Sequence, residues 1–255
     1  MELHYKVYGE GQPLIILHGL FGSSDNWQTL AKKWAANYQV FIIDQRNHGR
    51  SPHTSEEFTY DLMSADLHAF IQQHELNHVL LLGHSMGGKT VMQYLINYGA
   101  ARIDKALVAD IGVKKYPLHH EQILEALRTT DFDVLTSRKE VDEHLSKHIS
   151  IAGVRQFLLK NLYWKTKEVL AWRFNVEVLD RDIGHVVDEV KEGQVELPML
   201  FVRGSLSNYI LDDDLEEILA YFPQAKVTTI ADAGHWLHAE KPHEFFEHVN
   251  NFFNE

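Results

Sequence analysis

Gly83-His84-Ser85-Met86-Gly87 sets a serine between glycines, with the apolar run Val79-Leu80-Leu81-Leu82 before it and helical periodicity from Gly87 to Tyr98 after it. A serine at a strand-to-helix turn projects its hydroxyl above a sheet, at the positive end of the following helix. Flanking glycines let the backbone pass close to a strained residue. A hydroxyl is a poor nucleophile until a base takes its proton, so the pattern asks for a histidine. The chain has 17 of them, and position must choose. His235, in Asp232-Ala233-Gly234-His235-Trp236, follows the last apolar run and precedes a C-terminal helix. A loop after a strand puts its imidazole at the same sheet edge as Ser85, and serine, acid, histidine is a known chain order for such a trio. His238 reads as nearer to a solvated helix start. His18, His48 and His84 read as structural hydrogen-bonders around the turn.

The acid must hold the imidazole in one tautomer and stabilise its cation. Its usual place is a few residues past the strand read at Met199 to Val202. Ser207 stands there and cannot do the job. Asp110 ends the run Ala106 to Ala109, the strand after the one bearing the nucleophile, and is preferred. Asp212, Asp213 and Asp214 remain the alternatives, although they suit an N-cap and acidic first turn of the helix that follows. Acyl transfer also needs donors for a developing oxyanion. By position these are the backbone N–H of Met86 and one from the loop His18-Gly19-Leu20-Phe21-Gly22, with Leu20 first and Phe21 in reserve.

These residues need a scaffold, and the apolar runs describe one. Leu14 to Leu17, Val40 to Ile43, Val79 to Leu82, Ala106 to Ala109, Met199 to Val202 and Val227 to Ile230 are short and continuous, as central strands covered on both faces are. Helical patterns at Trp27 to Ala36, Thr59 to His74, Gly87 to Tyr98 and Asp214 to Tyr221 alternate with them, the signature of a mostly parallel α/β sheet. Functional residues collect at the carboxyl ends of such strands. From about Val113 to about Val190 the rhythm breaks. No strand is expected there, and helical patterns at His119 to Arg128, Ser137 to His148 and Gly153 to Asn161 dominate. The expectation is a core of 1–112 and 191–255 with a helical cap inserted at 113–190.

The 255 residues suit one domain with such an insertion, and a formal net charge of -12 argues against nucleic acid or an anionic membrane as main partner. The chain has no cysteine, which excludes disulfides, zinc–thiolate sites and cysteine nucleophiles. No run approaches a membrane span, and the first residues do not look like a signal peptide. A cytoplasmic protein is expected.

Taken together the residues resemble the α/β-hydrolase superfamily, and within it the small bacterial YbfF-type esterases. The likeness rests on His18-Gly19-Leu20-Phe21-Gly22-Ser23, Asp44-Gln45-Arg46-Asn47-His48-Gly49 and Gly83-His84-Ser85-Met86-Gly87-Gly88-Lys89. Gln156 to Lys160, Trp172-Arg173-Phe174-Asn175 and Gly234-His235-Trp236 with His238 to Pro242 extend it. The resemblance implies a carboxylic ester or thioester hydrolase with a Ser85–His235–Asp110 triad, no metal and no organic cofactor. Asp110 as the acid agrees with the positional argument. Asp44 and Arg46 are expected to support the core, and Lys89 to lie on a helix face. Most of Phe157, Tyr163, Trp164, Trp172 and Phe174 are expected to pack the cap, and some to line an acyl pocket. A carbon–carbon bond hydrolase and a non-catalytic ligand-binding relative are the rival readings. Acyl length, physiological substrate and oligomeric state are open.

Overall fold

The computed structural model describes residues 1–255. Seven strands form one sheet: β1 (Tyr5–Tyr8), β2 (Gln12–Leu17), β3 (Tyr38–Ile43), β4 (Val79–His84), β5 (Ile103–Ala109), β8 (Met199–Gly204) and β9 (Ala225–Ile230). Their spatial order is β1-β3-β2-β4-β5-β8-β9. β1 runs antiparallel to β3, and the other pairings are parallel. The six apolar runs all lie in strands; five are central, where a run buried on both sides has no reason to alternate, but Val227 to Ile230 lies in the edge strand β9, of which only Ile230 is buried. Alternate side chains go to opposite faces: Ile15 and Leu17 join one core cluster with Leu81, Val108 and Phe201. Leu14 and Ile16 join the other with Leu80, Leu82 and Leu107.

Helices cover both faces. α2 (Tyr60–Gln73), α3 (Met86–Tyr98) and α9 (Leu215–Tyr221) contribute to the first cluster, and α1 (Gln28–Trp34) and α11 (Pro242–Asn254) to the second. Thr59 caps α2, its hydroxyl accepting from the Leu62 N–H.

Between β5 and β8 lie α4 (Glu121–Arg128), α5 (Arg138–Leu145), α6 (Ala152–Leu159), α7 (Val176–Arg181) and α8 (Ile183–Val187). The expectation that this stretch holds no strand is wrong. β6 (Leu162–Trp164) and β7 (Leu170–Trp172) form an antiparallel hairpin within it. Their three-residue lengths leave no period for a sequence to show. The stretch shares a third apolar cluster with Phe21, Phe58, Tyr60 and Met86 of the sheet's loops and helices. Its two necks are tied: Tyr116 N–H donates to Val187 O at 2.8 Å and Val190 N–H to Val113 O at 2.8 Å. Of the expected aromatics, Trp172 and Phe174 stack on each other at 5.3 Å inside the cluster, Trp164 is exposed, and Arg173 lies over the Tyr163 ring.

β4 passes into α3 through Ser85, and the turn has no room for side chains beside it. A Cβ on Gly83 would stand 2.3 Å from Gly87 O, and one on Gly87 2.4 Å from Leu17 O. Both obstacles are backbone. Gly87→Ala should therefore lower unfolding stability by about 1–3 kcal/mol or more. A denaturant midpoint equal to wild type would show that the turn relaxes freely.

Candidate active site

The ends of β2, β4, β5, β8 and β9 build the site. Ser85, after β4, has φ 52° and ψ -120°, a left-handed conformation that aims its side chain away from the sheet. Asp110, after the neighbouring β5, is also left-handed at φ 53° and is fully buried. His235 follows β9 in a loop. Its Nε2 lies 3.0 Å from Ser85 Oγ and its Nδ1 2.8 Å from Asp110 Oδ2. With Nδ1–H donating to the carboxylate, Nε2 is left as an acceptor for the serine hydroxyl.

The expected position of the acid is filled by a residue that serves it. Ser207 Oγ donates to Asp110 Oδ2, and Gly204 N–H donates to Asp110 Oδ1 at 3.1 Å. The carboxylate thus has three neutral donors and no cation. The alternative aspartates lie elsewhere. Asp212 pairs with Arg203, Asp214 with Lys114, and Asp213 is exposed.

The Phe21 N–H is spent on His48 Nε2 at 3.1 Å. The Leu20 amide has no acceptor in the protein. Leu20 and Met86 line the same small recess beside Ser85. His18 Nε2 accepts from Gln45 N–H and its Nδ1–H donates to Gly19 O. His48 Nδ1–H donates to Arg46 O, and His84 Nε2–H to His235 O at 2.8 Å. These are the structural bonds expected of the three. Asp44 accepts from Ser24 and Arg50 N–H groups, and Arg46 makes a bidentate pair with Asp66 at 2.6 and 3.0 Å. Both act as core supports.

Two expectations fail. His238 is not solvated. It is 8% exposed and its ring stacks on Trp27 at 4.4 Å, because the short α10 (Leu237–Glu240) turns it inward. Lys89 is not on an open helix face. It is 0% exposed, donates to Lys114 O at 2.7 Å and to Asp188 O, and lies 4.9 Å from the Tyr116 ring centre. Burial of the ammonium pushes its pKa down to about 7. One turn after Ser85, it ties α3 to both necks of the inserted stretch.

Sequence reasoning missed Tyr209. Its ring stacks on His235 at 3.9 Å and 21°, and its hydroxyl is 2.7 Å from His119 Nε2. Its backbone carbonyl accepts from Tyr116 O–H at 2.6 Å. It sits in a loop without periodicity, and only its nearness to Ser207 could have marked it. Ser85 and His235 open on a cavity of about 290 Å³, whose apolar lining includes Leu20, Trp27, Ile123, Val154, Phe157 and Trp236.

The model of the alpha/beta hydrolase fold matches residues 12–146, more than half of the chain. The chain belongs to the α/β-hydrolase family. Among this hydrolase's relatives, the sn-1-specific diacylglycerol lipase ABHD11 of Xenopus laevis is 36% identical over 99% of this chain and 84% of its own. Esterase YbfF of Escherichia coli (strain K12) is 35% identical over 95% of this chain and 93% of its own. A solved marine microorganism esterase superposes with a TM-score of 0.95 at 41% identity, covering 98% of this chain and 99% of that one. The likeness to YbfF-type esterases therefore holds nearly end to end.

Burial holds His84 well below the ordinary imidazole range and His238 at about 3. An unfolded histidine titrates near 6.5. Between those values the unfolded chain binds more protons than the hydrolase, so stability is full above about 6.5 and falls as pH drops. Each such group contributes up to about 1.4 kcal/mol per pH unit. Denaturation from pH 6.5 to 4 should show wild type losing stability faster than His238→Phe. Parallel curves would contradict neutral burial of His238.

Proposed function

We propose that this hydrolase is a serine esterase that cleaves carboxylic acyl esters or thioesters through an acyl-enzyme on Ser85, with 113–190 as a cap over a core of 1–112 and 191–255. The observation that carries the reading is the line Ser85 Oγ to His235 Nε2 to Asp110, at 3.0 and 2.8 Å, at the floor of a mostly apolar cavity. The relatives named esterase and lipase point to the same activity.

Ser85 Oγ attacks the acyl carbonyl as its proton passes to His235 Nε2. The carbonyl oxygen becomes an oxyanion, received by the Leu20 and Met86 N–H groups. The imidazolium that forms faces the Asp110 carboxylate, which stays ionised. Collapse of the tetrahedral intermediate breaks the bond to the alcohol or thiol, which leaves with the proton from Nε2. Water then gives a proton to His235 as it attacks the Ser85 ester. A second collapse frees the carboxylic acid and returns the proton to Ser85. The Ser85 turn, set before any substrate arrives, spares the site that rearrangement.

Ser85→Ala should abolish release of acid from short-chain esters while leaving the circular dichroism and melting temperature near wild type. Retained turnover would remove the serine from the mechanism. Asp110→Asn should lower kcat about 10⁴-fold, the scale on which an amide in that place spoils the imidazole tautomer. Ser207→Ala should lower it roughly ten- to a hundredfold, the strength of one hydrogen bond to a charged group. Near wild-type turnover in Asp110→Asn would transfer the acid role elsewhere.

A further inference from the structure

The cavity beside Ser85 has no lysine, arginine, aspartate or glutamate in its lining. Its polar side chains are Asn26, Ser85, Tyr209 and six histidines. Three of those imidazoles have both nitrogens engaged: His18, His119 and His235. His84 has one engaged, and the Nδ1 atoms of His120 and His238 are buried without a partner. A polar atom withdrawn from water without a hydrogen bond is unfavourable. Of the ten such atoms in the chain, these two belong to residues that line the cavity.

His238 is the more telling of the two, because it is the more deeply buried and its ring is fixed by Trp27. Its centroid lies 4.5 Å from that of His84, and no hydrogen bond joins the two rings. Because His84 donates Nε2–H to His235 O, its Nδ1 is an acceptor. Burial keeps both rings neutral. An open acceptor thus stands beside an imidazole that still has a donor to give. A substrate hydroxyl satisfies both, donating to one ring and accepting from the other. A plain alkyl chain satisfies neither, and a carboxylate would find no cation in the lining, the nearby Lys160 lying outside it.

The position also says which half of an ester brings that hydroxyl. His84 precedes Ser85 in the chain and lines the cavity with the Leu20 loop, where the acyl carbonyl must lie. A second groove of about 380 Å³, open to solvent, reaches His235 from Ser207, Asn208 and Tyr209 and includes no residue of that loop. The departing alcohol must meet His235, and this groove suits it.

We propose that the acyl half of the substrate carries a neutral hydroxyl near the scissile carbonyl, received between His84 Nδ1 and the His238 ring. The assignment rests on the ester-hydrolase reading above, and three esters separate the two. Ethyl butyrate has no hydroxyl, ethyl 3-hydroxybutyrate has one on the acyl half, and 2-hydroxyethyl butyrate has one on the alcohol half. Acid release followed at constant pH should give a wild-type kcat/KM for the 3-hydroxybutyrate at least about tenfold above that for ethyl butyrate, since a site built for a hydroxyl rejects the analogue lacking it. In His238→Phe, which keeps a ring on Trp27, that ratio should fall toward one. His238→Asn, which keeps a donor and an acceptor, should retain part of it. Equal wild-type rates, a gain confined to the 2-hydroxyethyl ester, or an unchanged ratio in His238→Phe would overturn the proposal. Failure of wild type to cleave any of the three would instead overturn the ester-hydrolase reading, and this assignment with it.

Discussion

A carboxylate that has lost all contact with solvent must have its hydrogen bonds supplied by the protein, and Asp110 is such a group. Left unpaired it would be withdrawn at a loss of several kcal/mol. Gly204 N–H is in reach because β5 and β8 are neighbours and run parallel. Ser207 is in reach because the loop after β8 turns back over the strand ends. His235 is in reach because β9 is the next strand again and its loop returns the same way. Sheet order, loop direction and imidazole tautomer are thus tied to one buried group. Without a cation among its partners, the carboxylate's charge is directed at His235 alone. On the proposed mechanism that is where a positive charge develops.

The same edge of the sheet collects backbone strain. Phe21 after β2, Asn47 after β3, Ser85 after β4, Asp110 after β5 and Asp232 after β9 all have φ between 52° and 62°. Non-glycine residues avoid this region, and each such placement costs about 1–3 kcal/mol. These five fall at the strand ends that surround the cavity, while two others, Glu75 and His78, precede β4 at the opposite edge. The two apolar clusters beneath hold the strands rigidly enough to sustain them. Where the buried strands end, the chain bends sharply to bring side chains over the edge.

The core strands were legible because Leu14 to Leu17 or Val79 to Leu82 have one reading once helices alternate with them. β1 was not, since Tyr5-Lys6-Val7-Tyr8 is a half-exposed edge strand with one neighbour. Ser85 and His235 could be singled out because each sits in a recognisable local context, a turn between strand and helix and a loop after the last strand, and the structure sets them 3.0 Å apart. The preference for Asp110 followed from the unsuitability of Ser207. That the same serine donates to the carboxylate needed coordinates, because it depends on how a loop folds back. His238 and Lys89 were misread for a shared reason. Local sequence assigns a histidine or lysine in a polar stretch to solvent by default, whereas here Trp27 and the necks of the inserted stretch cover them. Those contacts join residues more than 20 positions apart, and no window of sequence contains both partners.

The density of histidines near Ser85 raises a selectivity problem that the structure resolves through partners. An imidazolium formed at His84 or His48 would be buried against backbone groups and other imidazoles, and at His18 burial outweighs the nearby Asp44 carboxylate. Burial accordingly holds all three below the ordinary range. His238, with no hydrogen-bond partner in the protein, is held lower still than an exposed ring. His235 alone in the cavity lining has a carboxylate on one nitrogen and a hydroxyl on the other, so on the proposed mechanism a proton leaving Ser85 has one favourable place to go. The neutral rings around it then serve a different purpose. They supply directional hydrogen bonding without competing for that proton, a combination that lysine or arginine could not provide. A site that must move one proton and also recognise a neutral polar group is well made from imidazoles that differ only in what they touch.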